Sequence, residues 1–347
     1  MRKQEALMGV SSGKRTIGWR TAVAVVPVAV LILGGVWLVR FVSPSASNAE
    51  ASENAGQASL ETVDAVVAAT RNYLNTGSWE QALTIVRRAT ERYPREAVLH
   101  ALHAEALLGV GDPEGALEKF VHASELGPDR AGWRDFAGTI AASLEKWEES
   151  ATHFGMAQRL DPSNAKYPLL RAQAQRALGD VDAARVSLTV ATRLDPSIAE
   201  GWATLADIAL NENRPAIALQ HIEKARRIDP ENAVYRIIEA RALRREGRAE
   251  EAANTLYAIP EQKRLTSAVI LAELAMCLGM LGEREAVAAM YVRAAEASPT
   301  DAEIAFEAAQ WLERVGRVDE AAAYGRRAAY MGHENARKWC EQRGVPM

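Results

Sequence analysis

Cysteine is almost missing from this chain: Cys277 and Cys340 are the only two among 347 residues. Two thiols in no metal-ligand spacing exclude a cysteine-built zinc module and are too few for a disulfide framework. They are expected to be isolated, mostly buried thiols, with a single bridge in an oxidising compartment as the alternative. Aromatic residues are scarce at 6%. Alanine, leucine, glutamate and arginine dominate instead, a composition that favours helices because straight-chain side chains lose little rotamer freedom there. Catalytic motifs are missing too. No phosphate-binding glycine loop, zinc-protease helix, nucleophile elbow or kinase signature occurs, so no catalytic, cofactor-binding or metal-binding set is expected and the chain is not expected to be an enzyme. The glycines of Gly109-Val110-Gly111-Asp112-Pro113-Glu114-Gly115 lack dinucleotide spacing and fit a helix turn. His100 and His103 stand three apart with no third ligand evident, which fits one surface and one core histidine better than a metal site.

Basic residues are missing from Phe41 to Thr70, whereas residues 1–42 carry six against the single acid Glu5. With a net charge of −4 overall, that +5 leaves −9 for the remainder. An acidic body argues against a nucleic-acid partner, whose phosphates require neutralising cations. From Thr21 to Val39 every residue is apolar or small, a run close to the roughly twenty residues that a helix needs to cross the hydrocarbon. Trp19 and Trp37 fall near the two interfaces. Residues 21–42 are therefore expected to form a transmembrane signal anchor behind a cytoplasmic basic tail, 1–20, with the rest of the chain extracytoplasmic, periplasmic if the source is bacterial. A cleaved secretory signal ending at Ser47-Asn48-Ala49 is the competing reading. Residues 43–62 are small and polar and read as a flexible linker.

The body is periodic. Pro94, Pro128, Pro162, Pro196 and Pro230 follow one another at intervals of thirty-four residues, and Pro299 continues the series with one residue inserted. The insertion points to a diverged tail between Ile259 and Ser267. Gly77, Gly111, Gly179, Asn213, Gly247, Gly282 and Gly316 stand seventeen positions before each proline or its expected place, with Glu145 breaking the rule. Small residues recur at fixed places, as in Ala82, Ala116, Ser150, Ala184, Ala218 and Ala252, and again in Ala89, Ala123, Ala157, Ala191 and Ala225. Bulky residues stand between them at Val86, Phe120, Phe154, Leu188, Ile222, Leu256 and Tyr291. Alternating large and small side chains are what two closely packed helices require. Ser78, Asp112 and Asp180 are placed to cap second helices, with Pro113 and Pro215 in first turns.

This glycine, alanine, bulky, alanine, proline order resembles the tetratricopeptide repeat. It extends over residues 63–335, in units near 63–96, 97–130, 131–164, 165–198, 199–232, 233–267, 268–301 and 302–335. The resemblance implies an all-α fold, a right-handed superhelical solenoid of about eight helix pairs. Residues 334–347 are expected to add a capping helix and tail with Trp339 inward. Departures are Ile259 and Val287 in place of alanine, Gly325 in place of the bulky residue, and His333 in place of proline.

In this family the first helix of each unit lines a concave groove. The resemblance maps that lining onto Arg71, Glu105, Asp135, Gln173, Arg176, Asp207, Arg241, Arg244, Arg245, Met276, Met280 and Phe306. Arginine beside methionine suits a protein partner carrying acidic and apolar residues. The chaperone-binding version uses a lysine and asparagine clamp; Val67, Arg71, Ala101 and Glu105 stand at its places, so that function is not expected. Together with the expected anchor, the resemblance implies a membrane-tethered scaffold or adaptor that binds other proteins or peptide segments on the extracytoplasmic side, for assembly of an envelope complex. An accessory, substrate-presenting subunit of a membrane enzyme complex is the alternative, and homo-oligomers stay open.

Overall fold

The computed structural model describes residues 62–127 and 131–346. Among these there are eighteen α-helices and no strand. The expected tail, transmembrane segment 21–42 and nearly all of the linker lie outside the described residues, as does Pro128. Thr62, the linker's last residue, is instead the N-cap of the first helix, its side chain accepting from Ala65 N. No helix among the described residues is long and apolar enough to cross a membrane.

The helices come in pairs: α1 (Val63–Asn75) with α2 (Trp79–Arg92), α3 (Ala97–Val110) with α4 (Pro113–Leu126), and α5 (Ala131–Ser143) with α6 (Trp147–Leu160). Next are α7 (Lys166–Ala177) with α8 (Val181–Leu194), α9 (Ala199–Asn211) with α10 (Pro215–Ile228), and α11 (Ala233–Arg245) with α12 (Ala249–Tyr257). After a short α13 (Glu261–Thr266) come α14 (Ala268–Met280) with α15 (Arg284–Ala297), α16 (Ala302–Arg314) with α17 (Val318–Tyr330), and a single α18 (Glu334–Gln342). Two bodies are distinguished, one of residues 62–123 and 139–145, the other of the remaining described residues. In the first, α3 packs on both α1 and α2; in the second, consecutive helices from α6 onward pack in chain order, apart from α13, which lies against α14.

Each pair turns through one left-handed residue. Gly77, Gly111, Gly179, Gly247, Gly282 and Gly316 have φ between 73° and 87°. At Gly111 the turn closes with Gly111 N bonded to Leu108 O at 3.2 Å and Asp112 N to Leu107 O at 2.9 Å, satisfying carbonyls at the end of α3. Asn213 and Glu145 both adopt the same region at φ 57°. Glu145 therefore keeps the turn that its side chain argued against, and holds it with the steric cost of a Cβ.

The two rows of small residues and the bulky row between them are all buried, Ala82, Ala116, Ala184, Val86, Phe120 and Ile222 at 0% exposure. Their close approach is visible at Gly138, where an added Cβ would stand 3.0 Å from the Phe154 ring, and where Ser150 Oγ donates to the Gly138 carbonyl at 2.8 Å. Asp112 and Asp180 accept from Gly115 N and Ala183 N. Ser78 makes no such cap; its hydroxyl lies 3.1 Å from that of Thr76. In the sixth pair α12 stops at Tyr257, shortly before Pro260, which has no N–H to continue a helix and disfavours helical backbone at Ile259. Buried Ile259 then anchors the chain into α13.

Candidate functional site

Successive first helices carry polar side chains that reach across to their neighbours. In the first body, Arg71 on α1 and Glu105 on α3 are both solvent-accessible. The protein walls around Glu105 raise its carboxyl pKa by desolvation, an effect that the positive charge of Arg71 opposes.

The second body ties its first helices together more firmly. Lys166 Nζ at the start of α7 pairs with Asp135 Oδ2 on α5 at 2.5 Å, while Asp135 Oδ1 is buried without a partner. Gln173 Nε2 donates to Glu200 Oε1 at 2.9 Å, joining α7 to α9. Arg176 on α7 lies 3.7 Å from buried Asp207 on α9.

Across α9, α11 and α14 the links are arginine links. Arg241 Nε donates to Glu273 Oε1 at 2.5 Å and Arg244 Nη2 to Glu273 Oε2 at 3.3 Å. Arg245 donates to the carbonyl of Leu210 near the end of α9. Glu273 is only 5% exposed, and a carboxylate buried to that degree requires compensating cations. The three arginines are thus not freely solvated. Two clasp a buried acid and the third bonds a helix-terminal carbonyl. Glu273 was not among the mapped positions. An acidic residue amid the apolar run of α14, Ala268-Val269-Ile270-Leu271-Ala272-Glu273-Leu274, was its only signal.

The apolar members of the mapped set separate. Met280 is 52% exposed and Met276 half-buried. Phe306, expected in the groove, is buried because α18 covers it: its ring lies 4.7 Å from that of His333 and 6.5 Å from that of Trp339. Val234 and Val269, both exposed, stand seven residues before Arg241 and Met276 and so share a helix face with them. Sequence mapping passed over both.

His100 and His103 are both buried, which corrects the expectation of one surface histidine. His100 Nε2 contacts Pro94 O at 2.9 Å and the ring lies edge-on to His122 at 4.4 Å. Among the described residues no group of three or more His, Cys, Asp or Glu side chains could hold a metal ion. Cys277 and Cys340 are free and buried. Burial pushes the Cys277 thiol up to about 11 and raises that of Cys340.

Comparison with known proteins agrees with this architecture. A family model described as the tetratricopeptide repeat matches residues 137–199 and 169–233. A second, described as the N-terminal TPR repeats region of Psidin, matches residues 208–324. Both support the tetratricopeptide repeat family for this helix array. A crystal structure of a tetratricopeptide repeat protein from Parabacteroides merdae aligns with TM-score 0.54 at 17% identity, covering 69% of this chain and 94% of that one, a likeness of fold. The APC/C hetero-tetramer Cut9-Hcn1 gives TM-score 0.49 at 15% identity over 81% of this chain and 55% of that one. YrrB, described as a TPR protein with an unusual peptide-binding site, gives TM-score 0.44 at 18% identity over 58% of this chain and 95% of that one.

Proposed function

We propose that this chain is a non-catalytic scaffold that holds a segment of another protein against the face built by the first helices of its second body. One observation carries the reading. Exposed Val234 shares α11 with an arginine cluster fixed in place by Glu273 on α14 and Leu210 on α9, and exposed Val269 and Met280 share α14 with that glutamate. Rigid, pre-positioned polar groups beside adaptable apolar side chains are suited to polypeptide recognition, because little freedom is lost on binding.

Tethering follows from the sequence. The apolar run 21–39 behind five basic residues supports an anchor with the array on the extracytoplasmic side, and the small polar residues 43–61 would let the array stand off the membrane. A scaffold in assembly of an envelope complex fits these features.

The test is affinity purification of the full chain from solubilised membranes, in parallel with Met280→Gln and Val269→Gln. These exposed positions can become polar without opening the core. The expected result is a defined set of co-purifying proteins that both variants lose. An identical set with wild type and variants would reject the first-helix face as the binding surface. Recovery of the chain in the soluble fraction after cell lysis would reject the tether.

A further inference from the structure

In the cluster that Asp207 and Glu273 hold together, charges do not balance. Arg176, Arg241, Arg244 and Arg245 contribute four guanidinium groups, whereas the acids they face, Asp207 and Glu273, return two carboxylates. Arg245 has a neutral carbonyl as its bonded partner, and Arg244 Nε is buried with no acceptor. Arg241 engages Glu273 through Nε. A guanidinium offers five N–H donors in a planar fork, so the cluster holds more donors than its internal acceptors use. The mutual repulsion is felt: after desolvation, Arg244 and Arg241 are the main causes that lower the pKa of Arg245.

Glu273 is more than a counter-ion in this arrangement. Buried between Arg241 and Arg244, it draws both toward α14 and fixes their planes, while Arg245 is turned toward α9. The result is a spread of positive charge, with exposed apolar Val269 and Met280 four residues before and seven residues after Glu273 on the same face of α14.

We propose that this surplus is a docking site for an acidic polypeptide segment, two of whose carboxylates seat on Arg245 and on the remaining donors of Arg241 and Arg244, with apolar side chains against Val269 and Met280. The inference rests on the first-helix face being a polypeptide-binding surface. A nucleic acid is disfavoured because it would lay many phosphates along a body of net negative charge. A segment with two carboxylates matches the surplus of two.

The test uses the full chain and fluorescent twelve-residue peptide pools that share fixed leucines and carry Glu, Gln or phosphoserine at two central positions. The Glu pool is expected to bind about tenfold more tightly than the Gln pool, the scale of one or two charge-assisted hydrogen bonds. Arg245→Gln should erase that preference and Arg245→Lys should restore part of it. Arg245 is solvent-exposed, so the fold should tolerate both, and circular dichroism checks that it does. Should Arg245→Gln nevertheless misfold, the Lys variant and loss of the Glu preference at high salt decide instead. Equal affinity for Glu and Gln pools would overturn the carboxylate site but leave the groove reading standing, provided Met280→Gln weakens both. Preference for phosphoserine over Glu would overturn the carboxylate assignment in favour of phosphate. Binding of no pool would overturn both readings.

Discussion

Single residues decide several properties of this molecule. His103 is buried among Lys119, His100 and Arg87 with Glu118 as the opposing charge, and desolvation first, then these cations, lower its pKa from 6.5 to about 4. The unfolded chain thus binds more protons than the folded one between these values. Stability is complete above pH 6.5 and declines as pH falls toward 4, by about 2.5 kcal/mol at pH 4.5, at 1.36 kcal/mol per pKa unit. Denaturant titrations at pH 7.5 and 4.5 should show this loss, and His103→Leu should shrink it. Glu145 offers the opposite case. It holds a left-handed turn at φ 57° that six other pairs assign to glycine, so Glu145→Gly should stabilise by roughly 0.5–1 kcal/mol, the αL relief exceeding the entropy cost of glycine. An unchanged or lower melting temperature would show the turn to be unstrained.

At this scale the sequence spoke unevenly. Alanines at fixed intervals marked the seam, because a close approach of two helices admits only small side chains, and prolines marked the ends of the pairs. Glu273 left no periodic trace, since its burial depends on arginines some thirty residues away on another helix. Removing it tests that dependence. Glu273→Ala would leave Arg241 and Arg244 without their acid and should cost about 3 kcal/mol, as breaking a largely buried pair does. A loss below 1 kcal/mol would mean that solvent already neutralises the cluster.

Among elements, α18 is the most instructive. Its helix is held by His333, whose Nδ1 accepts from Ala336 N at 3.1 Å and whose Nε2 contacts Glu303 at 2.8 Å, and by Glu313, which accepts from Trp339 at 3.1 Å and from Arg343 at 2.5 Å. Gly325 stands where other pairs carry a bulky residue, and the reason is Trp339: a Cβ on Gly325 would lie 2.5 Å from the indole ring. Gly325 as a departure and Trp339 as inward-facing were each legible in the sequence. That one explains the other needed coordinates. Gly325→Leu should expel the indole, costing about 2 kcal/mol as overpacking does, and red-shifting tryptophan emission. Cys340 reports on the same element. Sitting in a nine-residue helix without a pairing partner among the described residues, it should react with a thiol reagent at least about tenfold faster than Cys277, because an element with fewer packed neighbours opens at lower free energy. Equal rates would show the cap to be no looser than α14.

For the molecule as a whole, pairwise stacking means that damage stays local. Each helix pair depends on its immediate neighbours, so stability is close to a sum over interfaces. Truncation after His333 uncovers Phe306 and Ala328, both packed in the cluster that Trp339 completes. Amide exchange should accelerate in α16 and α17 while the cluster around Val86 and Leu99 stays as protected as before. The indole that fills the space above Gly325 has one more consequence, which concerns growth by duplication. Copying the eighth pair to make a ninth would carry that glycine inward with no ring to occupy the gap, leaving a hole at the new junction. Lengthening at this end would therefore need a compensating change at residue 325 first.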